Sequence, residues 1–539
     1  MSKRPVLRPY HQHQGVLIPP SWEELIAATD PVRLISAVID KLDLNALLAK
    51  YSITGRPSYH PCLLLKVLVY AYMNNIYSSR RIEEACRTHI HFIWMCAGAS
   101  PDHNTIARFR ADRLGQVLKE VFTQVVKLLV EQGLTSIDEV YVDGTKIESV
   151  AGRYTFVWRK SVEKNTARMA AQLEELWNYA EGIARHELEP LRPQEFKAVD
   201  PAAVERTIAQ IQEAIKDKDV DKKVKQKLNY AKRKWPQNVE KNQQHLEDMG
   251  ERNSLSKTDT DATFMRMKED HMRNGQLKPG YNLQISTHKQ FVVNYTLHQK
   301  PTDTTTLPGH LEAHKQAHGR VPKKACTDAG YGSEQNYAVL EQEGVEAFVK
   351  FPHFDSVVRG TKAISPAVAK GLRWNDQHEE YLCPQGHHMP WVGVTRRTTD
   401  NGFVQTLAQY MAPPQCVTCP LHDACAINKG EGVVEVNHRL EQYRHVAFAK
   451  LTTEEGIAHR KQRPHDVESV FGNLKSNHGL RRFLLRGIKK VTIESGLALL
   501  AHNLRKWAVI ASEKTDLSLR SIQRWLDHTA QAAFFRVAA

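Results

Sequence analysis

Five short runs of this chain, residues 137–142, 281–285, 291–295, 324–327 and 347–350, read as strands, and a charged, alanine-rich stretch over 164–257 splits the first from the rest. That stretch is helical in pattern, with apolar positions at Leu173, Leu176 and Ile183 and again at Ile208, Ile211 and Ile215. A helical hairpin inserted into an α/β sheet accounts for both. Helical spacing also precedes the strands, over 31–133, where Leu34, Ile35, Val38, Ile39 and Leu42 recur every three or four residues. It returns from 459 to 511. The polar residues 287–290 between the second and third runs predict a β-hairpin turn.

At 539 residues the chain exceeds one compact core and points to two or three domains. Lysine and arginine outnumber aspartate and glutamate by 74 to 60, so the net charge is +14, which favours a polyanionic partner. Charge alone equally suits a ribosomal or membrane-surface protein. Apolar runs at 62–73 and 497–510 are broken by Lys66 and by Arg505 and Lys506, so no membrane span is expected. The opening MSKRPVLRPYHQHQ lacks the apolar core of a secretory signal, which predicts a cytoplasmic protein whose cysteines are thiols or metal ligands.

In the first helical region, helices are predicted over 63–72 and from about 102, where Ser100 or Asp102 caps the start ahead of Ile106 and Phe109. Arg80, Arg81, Arg87, Arg108, Arg110 and Arg113 stud these helices. Such a domain suits a helix in a DNA groove with arginines on phosphates, and a solvated face is the alternative.

Three acidic strings carry the chemistry: VDGTK with Asp143, TDAGYG with Asp328 and VESVFG with Glu468. Asp143 and Asp328 each close a predicted strand. Glu468 lies on a predicted helix whose apolar stripe is Val467, Val470, Phe471 and Leu474. Lys475 falls seven residues on, about two turns, and so projects from nearly the same side, where it is expected to reach a phosphate beside bound metals. Carboxylates are the ligands that hard cations demand, and two magnesium ions about 4 Å apart can activate a nucleophile and stabilise a leaving oxygen at one phosphodiester. Any one of these acids alone reads as an ordinary surface residue.

Other acids are weaker candidates. Asp138 lies near the start of its strand and lacks a following glycine, while Asp259, Asp261 and Asp303 sit among threonines, where turns and caps are expected. His89 and His91 read as core or surface residues, and no GxxxxGK[ST] phosphate loop occurs. Cys383, Cys416, Cys419 and Cys425 form a candidate structural zinc set around one CxxC pair. His387, His388 and His422 are alternative ligands, and reduced thiols without metal are the rival reading. Cys62, Cys86, Cys96 and Cys326 lie in apolar or helical contexts expected to be buried.

The strings YVDGTKIES, TDAGYGSEQNYAVLE and VESVFGNLKSNHGLRRFLLRG resemble blocks of bacterial insertion-sequence transposases of the DDE class. So do PGYNLQISTHKQFVV, GRPSYHPCLLLKVLVYAYMNNIYSSRRIEE and PDHNTIARFR, and together they cover most of the chain. The resemblance implies a ribonuclease H-like core, a mixed sheet flanked by helices, with Asp143, Asp328 and Glu468 as ligands of Mg2+ or Mn2+. Similar cysteines stand between the second aspartate and the glutamate in such transposases. Many members also carry a tyrosine, an arginine, the glutamate and a lysine at fixed spacing. Here Lys475 matches the lysine, but Lys461 and Pro464 stand at the tyrosine and arginine positions. Arg463, one residue off, is the expected substitute on substrate phosphate.

The expected organisation is an all-α DNA-binding region over 1–135 and a catalytic core over 136–163, 258–355 and 455–512. A helical insertion over 164–257, a cysteine insertion over 378–430 and a tail over 513–539 complete it. The expected function is a transposase that cuts its element ends and joins a 3′ hydroxyl to target DNA, with Arg481, Arg482 and Arg486 adding backbone affinity. Handling two ends together implies a homodimer on DNA. The rivals are a non-catalytic DNA-binding derivative and a nuclease that cuts without joining.

Overall fold

One strand organises the sheet of this protein, because its two edges are paired in opposite senses. The computed structural model describes residues 21–51, 57–191, 196, 200–267, 275–365, 367, 371–399, 401–421 and 432–513. The chain divides into one unit of residues 1–121 with 497–539 and a second of residues 122–496. In the second, the strands in chain order are β1 (Glu139–Glu148), β2 (Phe156–Trp158), β3 (Ser254–Ser256), β4 (Thr263–Arg266), β5 (Leu277–His288), β6 (Phe291–His298), β7 (Lys324–Thr327) and β8 (Glu346–Val349).

β5 runs antiparallel along one edge of β1, placing Asp143 opposite Ile285, and β7 runs parallel along the other, with Val142 opposite Thr327. β8 continues the parallel side, and β4 and β6 both pair antiparallel with β5, so the sheet of six strands is mixed. Val142, Leu283, Ile285, Val292 and Ala325 are fully buried, as expected where helices cover both faces.

β1 does not end at Asp143 as the sequence predicts. The antiparallel ladder with β5 carries it on to Glu148, whereas the pairing with β7 stops at Val142. The predicted hairpin between β5 and β6 forms a two-residue turn in which Lys289 and Gln290 have φ of 50° and 61°. Neither is glycine or asparagine, and the buried Asp466 steadies the turn by accepting from the Gln290 amide at 2.8 Å.

The insertion is more than a hairpin. Three long helices, Arg159–Ile183, Pro201–Ala214 and Lys222–Met249, close around Trp177, Ile208, Ile211 and Trp235. The third was hidden by its lysines, although Leu228, Ala231, Trp235 and Val239 form the stripe that packs. Two small sheets lie between β8 and the last helices: Arg373–Asn375, Glu380–Leu382 and His388–Met389, then Trp391–Thr398, Val404–Met411 and Val433–Val436. Tyr381, Cys383, Met389 and Tyr410 form their shared core.

The first unit is helical in its described part, with helices Pro31–Asp40, Pro61–Met73, Ser79–Thr88, Ile90–Met95 and His103–Arg108. Asp102, not Ser100, caps the last of these, accepting from the Thr105 amide at 2.7 Å. Its arginines divide. Arg80, Arg81 and Arg108 are exposed, but Arg110 is buried and donates to the Tyr77 carbonyl at 2.7 Å, and Arg113 lies 4.0 Å over the Tyr51 ring. Among the described residues, no helix is long and apolar enough to cross a membrane.

Candidate active site

The parallel register brings the two aspartates together. Because Val142 faces Thr327 across β1 and β7, the next residues, Asp143 and Asp328, leave the paired region side by side. Asp143 is 4% exposed; its carboxylate accepts from the Gly144 amide at 2.7 Å and from Arg463 Nη1 at 3.2 Å. Asp328 accepts from the Gly330 amide at 2.9 Å and so caps the short turn Ala329–Tyr331, which leads the chain away from the sheet.

Glu468 reaches the same place from a helical segment. Val467, Val470, Phe471 and Leu474 are all buried, as their spacing predicts, which leaves Glu468 exposed. The segment Pro464–Glu468 is a π-helical turn, closing over five residues where an α-turn closes over four. That extra residue resolves the offset of Arg463. Standing five positions before Glu468, Arg463 presents Nη2 at 3.6 Å from Glu468 Oε1 while Nη1 holds Asp143.

Burial alone would depress Arg463, but Asp143 and then Asp328 outweigh it, and its pKa lies above the ordinary arginine value. The guanidinium is thus the positive charge shared among the acids. Lys475 lies on the side expected but is buried, and its Nζ donates to the Lys146 carbonyl at 3.0 Å, bracing β1 against the helical segment. Asp143, Thr145, Asp328, Arg463, Glu468 and Lys475 line one cleft of about 370 Å³.

Behind the cleft lies a polar network that sequence reading missed. Asp303 accepts from Asn282 Nδ2 and Gln284 Nε2, both at 2.7 Å, and the buried Tyr331 donates to Gln284 Oε1. Burial, then Asp303, Asp143 and Asp328, push the Tyr331 phenol well above its usual range, so it stays neutral. A Cβ on Gly144 would fall 2.0 Å from Gln284 Nε2 and 2.5 Å from Asp303 Oδ1. Any larger residue would therefore have to displace this network. The available signal was the alternation of Asn282 and Gln284 with Tyr281, Leu283 and Ile285, which placed two amides on one strand face.

The other acids serve structure. Asp138 pairs with Arg320 at 2.7 Å and Lys323 at 3.1 Å. Asp259 accepts from Tyr281 Oη at 2.9 Å and the Gly487 amide at 3.1 Å, and Asp261 accepts from the Ile488 amide at 2.8 Å, where the helix Ile488–Glu513 begins. Arg481 donates to the Lys475 carbonyl, Arg482 to those of Ser149 and Ala151, and Arg486 to that of Val150, so these cations bind backbone. Cys62 is half-buried, and Cys86, Cys96 and Cys326 are buried; burial raises the Cys326 thiol to about 12.

Asp143, Asp328 and Glu468 supply the oxygen donors that a hard cation requires. Among the described residues, however, no three His, Cys, Asp or Glu side chains are already grouped to hold a metal ion, and Arg463 stands between Asp143 and Glu468. In the cysteine region, the Cys383 thiol accepts from the His387 amide at 3.3 Å and that of Cys419 from the Leu421 amide at 3.4 Å. Cys416 is half-buried close by in sequence, whereas Cys425 and His422 lie outside the described residues.

Two protein-family models match the chain: one described as a transposase DDE domain over residues 382–508, the other as a transposase domain, DUF772, over residues 20–112. The first spans Arg463, Glu468 and Lys475, while Asp143 and Asp328 lie outside both. No curated protein and no solved structure matches the chain significantly.

Proposed function

The chain belongs to the insertion-sequence DDE transposases, and from that premise we propose that Asp143, Asp328 and Glu468 cut DNA at element ends and direct the freed 3′ hydroxyl at target DNA. One observation carries this reading: three acids spread over more than 300 positions line a single cleft. The family implies DNA as partner, and its members generally use divalent metal ions. The mixed sheet with parallel β1, β7 and β8 supports a ribonuclease H-like core.

Asp143, Asp328 and Glu468 would hold Mg2+ or Mn2+, which when bound supplies Lewis-acid activation of the attacking and leaving oxygens. The remaining roles fall to the chain itself. Arg463 neutralises the buried Asp143 and the neighbouring Glu468 until substrate arrives and is then free to grip a phosphate, bidentate geometry being its strength. Lys475 keeps a second positive charge at the wall of the cleft. The neutral Tyr331 and the Asp303 network fix the backbone that presents Asp143 and Asp328.

Element ends are bound by the helices before residue 121, through exposed cations such as Arg80, Arg81 and Arg108, and two protomers assemble on the paired ends. Cys383, Cys416 and Cys419, with Cys425 outside the described residues, would be the ligands of a structural zinc, a reading supported by the amides that point at two of the thiols. Metal analysis should then find one zinc per chain.

Incubating the intact protein with its element ends, target DNA and magnesium, beside Asp143→Ala, tests the function. Nicking followed by joining is expected from the intact protein alone. Binding without nicking identifies a non-catalytic DNA-binding protein, and nicking without joining identifies a nuclease.

A further inference from the structure

We propose that the cleft at the root of the helical insertion binds a nucleotide unit of a DNA strand. This cleft, of about 400 Å³, is separate from the carboxylate site. It lies where β1 leads on into β2, which pairs with β3, so that both ends of the insertion are pinned there. The helix Arg159–Ile183 begins directly after β2, and Lys222–Met249 ends shortly before β3.

Both helices carry a polar stripe beside their apolar seam at this root. Further along they meet through Leu173, Leu176 and Trp177 on one side and Leu228, Ala231 and Trp235 on the other. At the cleft Val157, Val162 and Met169 continue the apolar lining, and beside them Ser161, Asn165 and Arg168 at spacings of four and three face Asn238, Lys241, Asn242 and His245 at spacings of three, one and three. Lys257, just after β3, adds another cation, and no carboxylate lines the cleft.

Arg168, Lys241 and Lys257 have no ion-pair partner among the described residues. Burial, then Lys241 and Lys257, lower the pKa of His245 and outweigh the opposing Asp248, so cations set the sign of the field there. One wall is aromatic. Phe156 and Trp158 line it, the buried Phe264 packs against both with ring centroids 5.9 to 6.1 Å apart across the three, and Phe156 remains 46% exposed.

Cations for a phosphate, amides for polar edges and an exposed ring for stacking are together the requirements of a nucleotide. An acidic peptide would use the cations but leave the ring idle. The choice of DNA over a free nucleotide rests on the function proposed above.

The test uses the full-length protein and a labelled single strand of about 20 nucleotides carrying 4-thiothymidine. Arg168→Ala with Lys241→Ala, both exposed and outside the carboxylate site, should weaken binding about 10-fold or more. It should also reduce the salt slope by about 1.4, from about 0.7 per phosphate contact on a single strand. Photocrosslinks should fall on the peptide containing Phe156 and Trp158. Unchanged affinity and slope, or crosslinks only elsewhere, overturns the site. Displacement of the strand by thymidine monophosphate at equal nucleotide concentration overturns a strand as occupant, and equal displacement by poly-glutamate overturns nucleotide recognition. If the intact protein does not nick element ends while the double variant still loses strand binding, the proposed function fails and this site stands. Nicking by intact protein with unaltered strand binding by the variant gives the reverse.

Discussion

Arg463 holds Asp143 at 3.2 Å across 320 positions of sequence, and the same guanidinium stands 3.6 Å from Glu468. With side chains 13% and 5% exposed, Arg463 and Asp143 form an ion pair largely withdrawn from solvent. Its value therefore lies less in net attraction than in preventing an uncompensated buried carboxylate.

Arg463→Ala should destabilise the protein by about 3 kcal/mol, because it strands Asp143 without a counter-charge. Adding Asp143→Asn should recover part of the loss, with a coupling of about 1–3 kcal/mol in a double-mutant cycle followed by urea unfolding. Additive losses would mean that the pair contributes nothing.

Gly144→Ala should cost about 1–3 kcal/mol and reduce cleavage, since its Cβ would lie 2.0 Å from Gln284 Nε2 and 2.5 Å from Asp303 Oδ1. Gly182 provides the contrast. It lies within the helix Arg159–Ile183, where an added Cβ would meet nothing within 4 Å, so Gly182→Ala should leave stability unchanged or raise it by up to about 1 kcal/mol. Thermal melts of the two variants check both directions.

His298 makes stability fall in mild acid. Burial, set against Asp303, lowers its pKa from 6.5 to about 4. The unfolded chain therefore binds the proton first, and the contribution, whole above pH 6.5, is lost as pH falls towards about 4. It amounts to about 2–3 kcal/mol, and His298→Gln should flatten that part of the profile in unfolding measured from pH 7.5 to 4.

The sequence exposed the components of the site better than their supports. Asp143, Asp328 and Glu468 stood out chiefly because their strings resemble blocks of DDE transposases, the apolar helical stripe adding support for Glu468 alone, and all three line the cleft. That β1 runs past Asp143 was not legible, because β5, which extends it, comes more than 130 positions later. Nor could spacing show that a π-turn would return Arg463 to the side of Glu468, since spacing arguments assume α-helical turns. Lys475 shows the complementary limit: its position followed from periodicity, but its burial against the Lys146 carbonyl depends on packing. Asp303 was read as a turn residue because its neighbours are threonines, and only the folded sheet brings Asn282 and Gln284 to it.

The most direct test of the account is magnesium-dependent nicking of element-end DNA by Asp143→Asn, Asp328→Asn and Glu468→Gln, with Asp138→Asn as control and melting curves to verify folding. If the three acids act as one site, each of the first three variants should lose activity by about 10³-fold or more, a loss of at least about 4 kcal/mol of transition-state stabilisation, while Asp138→Asn cuts nearly as well as the intact protein. Nicking at near-intact rates by any of the three folded variants would contradict it.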